Sequence, residues 1–315
     1  MEELARYQEG YAAVTAFRDE SDLVFHTDFD DNGRSILSEM RIPIDDYIAK
    51  GEGPWPWYDL GDRRPGALQI FAALGVQPPP WTELLPVEVL AAFDRARNGW
   101  ASVGDLIAGG VDADVLDPCG ASPLWYAVRS LQPDAALVLI DAGADAGRRI
   151  ELSPRGDLFT TILHEIVALG RSAALSRALA RGVDASVRDA DGATPLHRLG
   201  ERHDHVNPEL VRLLAESGAD VDATTTSGQR PIEAAATRLL PATVATLLDL
   251  GAEPARALTT TLAWWAANMR WFGYRAGEVV DVVDILLAGG AAITDRDREL
   301  AARAGDPAVV AALDP

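Results

Sequence analysis

Apolar residues recur along this chain at helical spacing and then stop at a glycine. Val211, Leu213 and Leu214 precede Gly218, and Val244, Leu247 and Leu248 precede Gly251; residues three and four apart share one face of an α-helix. The same ending falls at Gly75, Gly110, Gly143, Gly182, Gly218, Gly251 and Gly290, usually followed by a small or branched residue and then an acid. Successive intervals lie between 33 and 39 residues. A ladder of that regularity marks one helical unit stacked repeatedly. Glycine at the end of the apolar run takes the left-handed conformation that closes a helix without Cβ strain.

A second pattern precedes the helices and is clearest at Asp191-Gly192-Ala193-Thr194-Pro195-Leu196-His197. Asp-Gly supplies a tight turn, Thr194 is placed to cap a helix, and Pro195 suits the first helical position because it has no N–H to satisfy. Weaker copies occur at Cys119 to Leu124 and Ser227 to Ile232, and more degenerate ones at Thr161 to His164 and Thr260 to Leu262. These segments resemble the ankyrin repeat, with its D-x-x-G-x-T-P-L-H motif and base period of about 33 residues. The resemblance covers residues 88 to 313 and ends on Leu300 to Asp306 with Val309 and Val310. It implies an all-α solenoid of six to seven helix-turn-helix repeats joined by short hairpins.

Residues 1–87 fit the period poorly and are expected to form an irregular N-terminal cap or degenerate repeats, leaving 88–315 as the solenoid. Asp31-Asn32-Gly33 followed by Arg34 to Leu37 reads as a degenerate hairpin and helix start, and Leu68 to Gly75 as a second helix. Gly51 to Tyr58 is too rich in Gly and Pro for any helix.

Composition narrows the function. A chain of 315 residues with 48% hydrophobic content buries a substantial core. Its net charge of −20, from 28 basic and 48 acidic residues, repels phosphates and anionic lipid, so neither nucleic acid nor membrane is expected as a partner. No apolar run approaches the roughly 20 residues of a membrane helix. The N-terminus lacks a signal-peptide pattern, and Cys119 has no second cysteine to pair with, so a cytoplasmic setting is expected. Lys50 is the only lysine and alanine is abundant, a bias that reads as a GC-rich bacterial genome.

Little of the chain has the pattern of chemistry. His197, His203 and His205, with Glu201 and Asp204 nearby, are weak candidates for a metal; the resemblance instead makes His197 a structural hydrogen-bonding residue. No nucleophile elbow, phosphate loop or dinucleotide fingerprint occurs. Catalytic residues and cofactors are therefore not expected.

In the resembled fold, hairpin fingers and inner helices line a concave face where protein partners bind. Mapped onto that plan, the fingers are acidic at Asp112, Asp114, Asp117, Asp145, Asp184, Asp189, Asp191, Asp220 and Asp222. Arg97, Arg129, Arg202, Arg238 and Arg303 recur near the inner-helix ends as a basic ladder beneath them. Trp264 and Trp265 fall on an inner helix, one of them expected in the core. Trp271, Phe272 and Tyr274 are expected in an inserted loop, and Trp55, Trp57 and Tyr58 in the cap. The binding residues expected are Asp117, Asp189, Asp191, Asp222, Arg129, Glu201, Arg202, Arg238, Trp264 and Trp271. They imply a protein partner, basic or of mixed charge. The expected function is a non-catalytic interaction module of the kind that neutralises a bacterial toxin as an immunity protein. The alternative is an enzyme or small-molecule binder with its site in the concave face.

Overall fold

The computed structural model describes residues 1–9, 12–31, 34–45, 47, 69–77, 86–99, 101–117, 120–152, 158–200, 204–254 and 256–313. These fall into two compact units, one of residues 1–143 and 150–158, the other of 144–149 and 159–315. The boundary expected at residue 87 falls inside the first unit, and the units divide after Gly143.

The first unit opens with a sheet, so the expectation of an all-α chain with an irregular cap is corrected here. Strands β1 (Glu2–Glu9), β2 (Ala12–Asp19), β3 (Asp22–Asp31) and β4 (Arg34–Pro43) form an antiparallel meander. Asp19 pairs with Asp22 across a two-residue turn in which Glu20 has φ of 55°, the sign that a tight hairpin needs. Asp31 pairs with Arg34 around Asn32-Gly33. Asn32 and Gly33 themselves lie outside the described residues, but the segment after them is β4 and not a helix, because Arg34 to Pro43 finds a complete ladder along β3. A helix at 69–74 confirms the apolar run before Gly75. Ile70 and Phe71 from that helix are buried against Ala16, Leu23, Phe25 and Tyr47. Tyr47 stacks on Phe71 with ring centres 5.6 Å apart.

Helices α1 (Val87–Asn98), α2 (Gly104–Ala108), α3 (Pro123–Arg129) and α4 (Pro133–Asp141) complete this unit. Ser122 caps α3 by accepting from the Trp125 N–H, and Pro123 takes the first position, as the pattern requires. Phe93 of α1 meets Tyr126 of α3 edge to face at 5.6 Å.

The helices of the second unit form two rows. One row runs α5 (Ile162–Ala168), a single 3-10 turn at Pro195–Arg198, α8 (Pro231–Thr237), α10 (Ala257–Phe272) and α12 (Asp295–Ala304). The other runs α6 (Ser172–Ala180), α7 (Asn207–Glu216), α9 (Pro241–Asp249), α11 (Ala276–Ala288) and α13 (Pro307–Ala312). Each element packs on its neighbours within its row. Leu163, Leu196, Ile232 and Leu258 of the first row and Leu175, Leu210, Val244 and Val283 of the second are fully or almost fully buried. All seven glycines of the ladder have positive φ. Gly218 shows why: its N–H bonds to Ala215, the Ala219 N–H reaches back to Leu214, and the carbonyls ending α7 are thereby satisfied.

Candidate functional site

The hairpin fingers are built by one residue each. Asp189 accepts the N–H of Ala193 and of Asp191 on Oδ1, while its own N–H donates to the Ala193 carbonyl. Asp117 repeats the arrangement with Ala121 and also takes the Tyr126 hydroxyl on Oδ2 at 2.7 Å. Thr225 does so with Gln229 through its hydroxyl. The aspartates are almost fully buried, at 3% exposure for Asp117 and 4% for Asp189, so they hold finger shape and present no carboxylate to a partner.

In two of the repeats the fourth residue of the Thr-Pro-Leu-His pattern ties one repeat to the next. His197 accepts the Thr194 N–H on Nδ1 and donates from Nε2 to the Gln229 carbonyl, both at 3.0 Å. His164 bonds the Thr161 hydroxyl through Nδ1 and donates from Nε2 to the Ala193 carbonyl at 2.9 Å. Burial pushes both imidazoles below the ordinary histidine value. With both ring nitrogens committed, His197 has no lone pair left for a metal. His205 is exposed, His203 lies outside the described residues, and no metal-holding group of three occurs among the described residues.

The fingers are also fastened to one another. The Thr226 N–H and hydroxyl both donate to the Asp191 carbonyl at 2.9 Å, and Arg188 bridges the carbonyls of Gly192 and Thr224. Under this clamp lies a groove of about 190 Å³. Its lining includes Asp191, Arg198, Ser227, Gln229 and Arg238, with His197 beside them. Arg198 is held by the buried Asp189 and the exposed Asp191. Arg238 is held by the His197 carbonyl at 2.7 Å. The groove is polar and open to solvent.

Of the residues expected to bind, Asp191 and Arg238 meet in this groove. Asp222 is half-buried and accepts the Glu253 N–H. Arg129 is exposed over the Trp125 ring, 5.1 Å from its centre. Trp265 is the core tryptophan, fully buried, while Trp264 is half-buried. Trp271 is 70% exposed, but it lies on α10 and not in a loop, because the inner helix of this repeat runs 16 residues. Glu201, Arg202, Cys119, Trp55, Trp57 and Tyr58 lie outside the described residues. Sequence reasoning misses Arg198 and Arg188; their signal is only register, one residue after His197 and one before Asp189.

Residues 191–226, which carry this finger and groove, match the family model of the ankyrin repeat. It is 33% identical over 153 residues to the nuclear factor NF-kappa-B p105 subunit of Gallus gallus, covering 48% of this chain and 15% of that protein. It is 34% identical over 143 residues to ankyrin repeat and SOCS box protein 6 of Homo sapiens, covering 44% of this chain and 33% of that one. The chain thus spans a third or less of the length of these relatives. No described helix is long and apolar enough to cross a membrane.

Proposed function

We propose that this chain is a non-catalytic module that holds one protein partner against the groove between the fingers at 189–193 and 225–229. The observation that carries the reading is the clamp: Arg188 and Thr226 lock the two fingers together, so binding there requires little further ordering. The ankyrin repeat at 191–226 supports a protein partner. One acid, Asp191, lines the groove with Arg198 and Arg238, which favours a partner of mixed charge, and the net charge of −20 steers one that is basic overall. A basic bacterial toxin, neutralised in the cytoplasm by this chain as its immunity protein, fits that description. No observation favours an enzyme.

Affinity capture of the tagged chain from its own cell extract, at low and moderate salt, tests the reading. One stoichiometric, salt-sensitive basic protein is the expected result. A co-purified small molecule with no protein would overturn it.

A further inference from the structure

The row of fingers stops before the rows of helices do. Thr194, at the head of its 3-10 turn, lies twelve residues after Gly182, and Arg230, at the head of α8, lies twelve after Gly218. Arg256, at the head of α10, lies only five residues after Gly251, and Thr294, at the head of α12, four after Gly290. A link that short is used up in crossing from one helix to the next and leaves no residues for a hairpin. The finger at 225–229 therefore has a finger beside it on one side only. Fingers of this unit are joined through their backbones: the Ala190 N–H donates to the Phe159 carbonyl at 3.1 Å, and the Thr226 N–H to the Asp191 carbonyl at 2.9 Å. The turns at 189–193 and 225–229 share their internal bonds, Asp189 with Ala193 and Gly192, Thr225 with Gln229 and Gly228. Ser227 thus stands where Asp191 does, and its carbonyl is the acceptor that a further finger would take. Ser227 is exposed, and that carbonyl has no hydrogen-bond partner among the described residues. Where the finger returns to α8, Arg230 donates to Oε2 of Glu253, whose side chain is 56% exposed, while its Oε1 accepts from no described residue. Arg256 is turned to the Gly228 carbonyl and to the buried Glu233, both at 3.3 Å.

We infer that a basic hairpin turn of the protein partner takes the place of the missing finger, donating a backbone N–H to the Ser227 carbonyl and setting a lysine or arginine against Glu253. The inference rests on the protein-binding reading above and names the far side of the 225–229 finger as a second part of the same contact. The chain's own fingers are the template, since the bond from Thr226 to Asp191 shows that a turn of this shape seats on such a carbonyl. An unpaired backbone edge is completed by an added segment through main-chain hydrogen bonds, which fix register before any side chain is read. Side chains then select charge. The unpaired groups named on this side, the Ser227 carbonyl and Glu253 Oε1, are both acceptors, and the net charge of −20 attracts a cationic turn and repels an acidic one.

The full chain, labelled with 15N, is titrated with a cyclised peptide that copies the turn Asp-Ala-Asp-Gly-Ala of residues 189–193 between flanking lysines. Two controls accompany it, one N-methylated at the first alanine of the turn, so that the donor is gone, and one with glutamates in place of the lysines. The lysine peptide should give saturable shifts of the Gly228 N–H, which shares its peptide group with the Ser227 carbonyl, and of the Glu253 N–H. N-methylation should weaken it by about tenfold, and the glutamate peptide should give no saturable shift. Glu253→Gln should weaken the lysine peptide by about threefold without a change in thermal stability. Absence of saturable shifts, equal binding of the N-methylated peptide, equal binding of the glutamate peptide, or an unchanged affinity in Glu253→Gln would each overturn the assignment. Capture of a protein by the groove is read separately, so failure here is distinct from failure of the wider reading.

Discussion

His197 donates from Nε2 to the carbonyl of Gln229, 32 residues further along the chain, at a distance of 3.0 Å. His164 makes the same bond to Ala193, and in two later repeats Glu233 and Asp297 place a carboxylate at the position. Glu233 accepts the Arg230 N–H and sits 3.3 Å from Arg256, while Asp297 accepts the Thr259 hydroxyl at 2.6 Å. In the histidine repeats the residue at this position therefore staples its own helix start to the repeat beyond it.

Removing one staple should be costly. His197→Ala leaves the Gln229 carbonyl without its donor in a largely buried place, and should lower unfolding free energy by about 1–3 kcal/mol. Urea denaturation measures it, and a change below about 0.5 kcal/mol would contradict the staple.

Acid should weaken the same two bonds. The folded chain keeps His164 and His197 neutral, with burial lowering both below the usual 6.5, while the unfolded chain takes up the proton near that value. Their contribution is therefore complete above about pH 6.5 and is lost as pH falls from there toward the depressed folded values. Unfolding free energy measured between about pH 7 and pH 5 should fall with a slope of up to about 1.4 kcal/mol per pH unit per histidine. His164→Gln with His197→Gln should flatten that slope; an unchanged slope would show that other groups set it.

In the first unit the Tyr126 hydroxyl and Asp117 Oδ2 form a buried bond of 2.7 Å. Tyr126→Phe should cost about 1–2 kcal/mol, and a double-mutant cycle with Asp117→Asn should return a coupling of similar size. A coupling near zero would mean that Asp117 acts on the hairpin backbone alone.

Two tryptophans on one helix should behave oppositely. Trp265→Ala empties a fully buried site and should cost about 3–5 kcal/mol. Trp271→Ser, at a position 70% exposed, should stay within about 0.5 kcal/mol. Thermal unfolding of both variants gives the comparison, and a large loss at Trp271 would argue against the exposed helix end.

The repeated helices are legible in the sequence because each carries its own signals at fixed spacing: an apolar face, a capping residue with Pro behind it, and the closing glycine. The sheet at residues 2–43 is not, since a four-stranded meander depends on pairing between segments and the repeat period offers no hint of it. Asn32-Gly33 does announce a hairpin, but a turn leaves the conformation of the next segment open. At the site, Asp191 and Arg238 are found by counting register. Asp117 and Asp189 are visible as finger acids, yet their burial is not, because a turn-forming aspartate and a partner-facing one look the same in sequence. Arg188 and Arg198 act on residues of other segments, and such contacts leave no local trace.

Filling the space between the two locked fingers decides whether a protein partner seats there. Ser227 is exposed on the finger at 225–229 and lines the groove. Ser227→Arg should occupy the cleft while leaving thermal stability unchanged. Affinity capture with wild-type and variant chains should return one stoichiometric protein with the first and lose it with the second. Equal capture by both chains, at equal stability, would place the partner's contact elsewhere and refute binding in the groove.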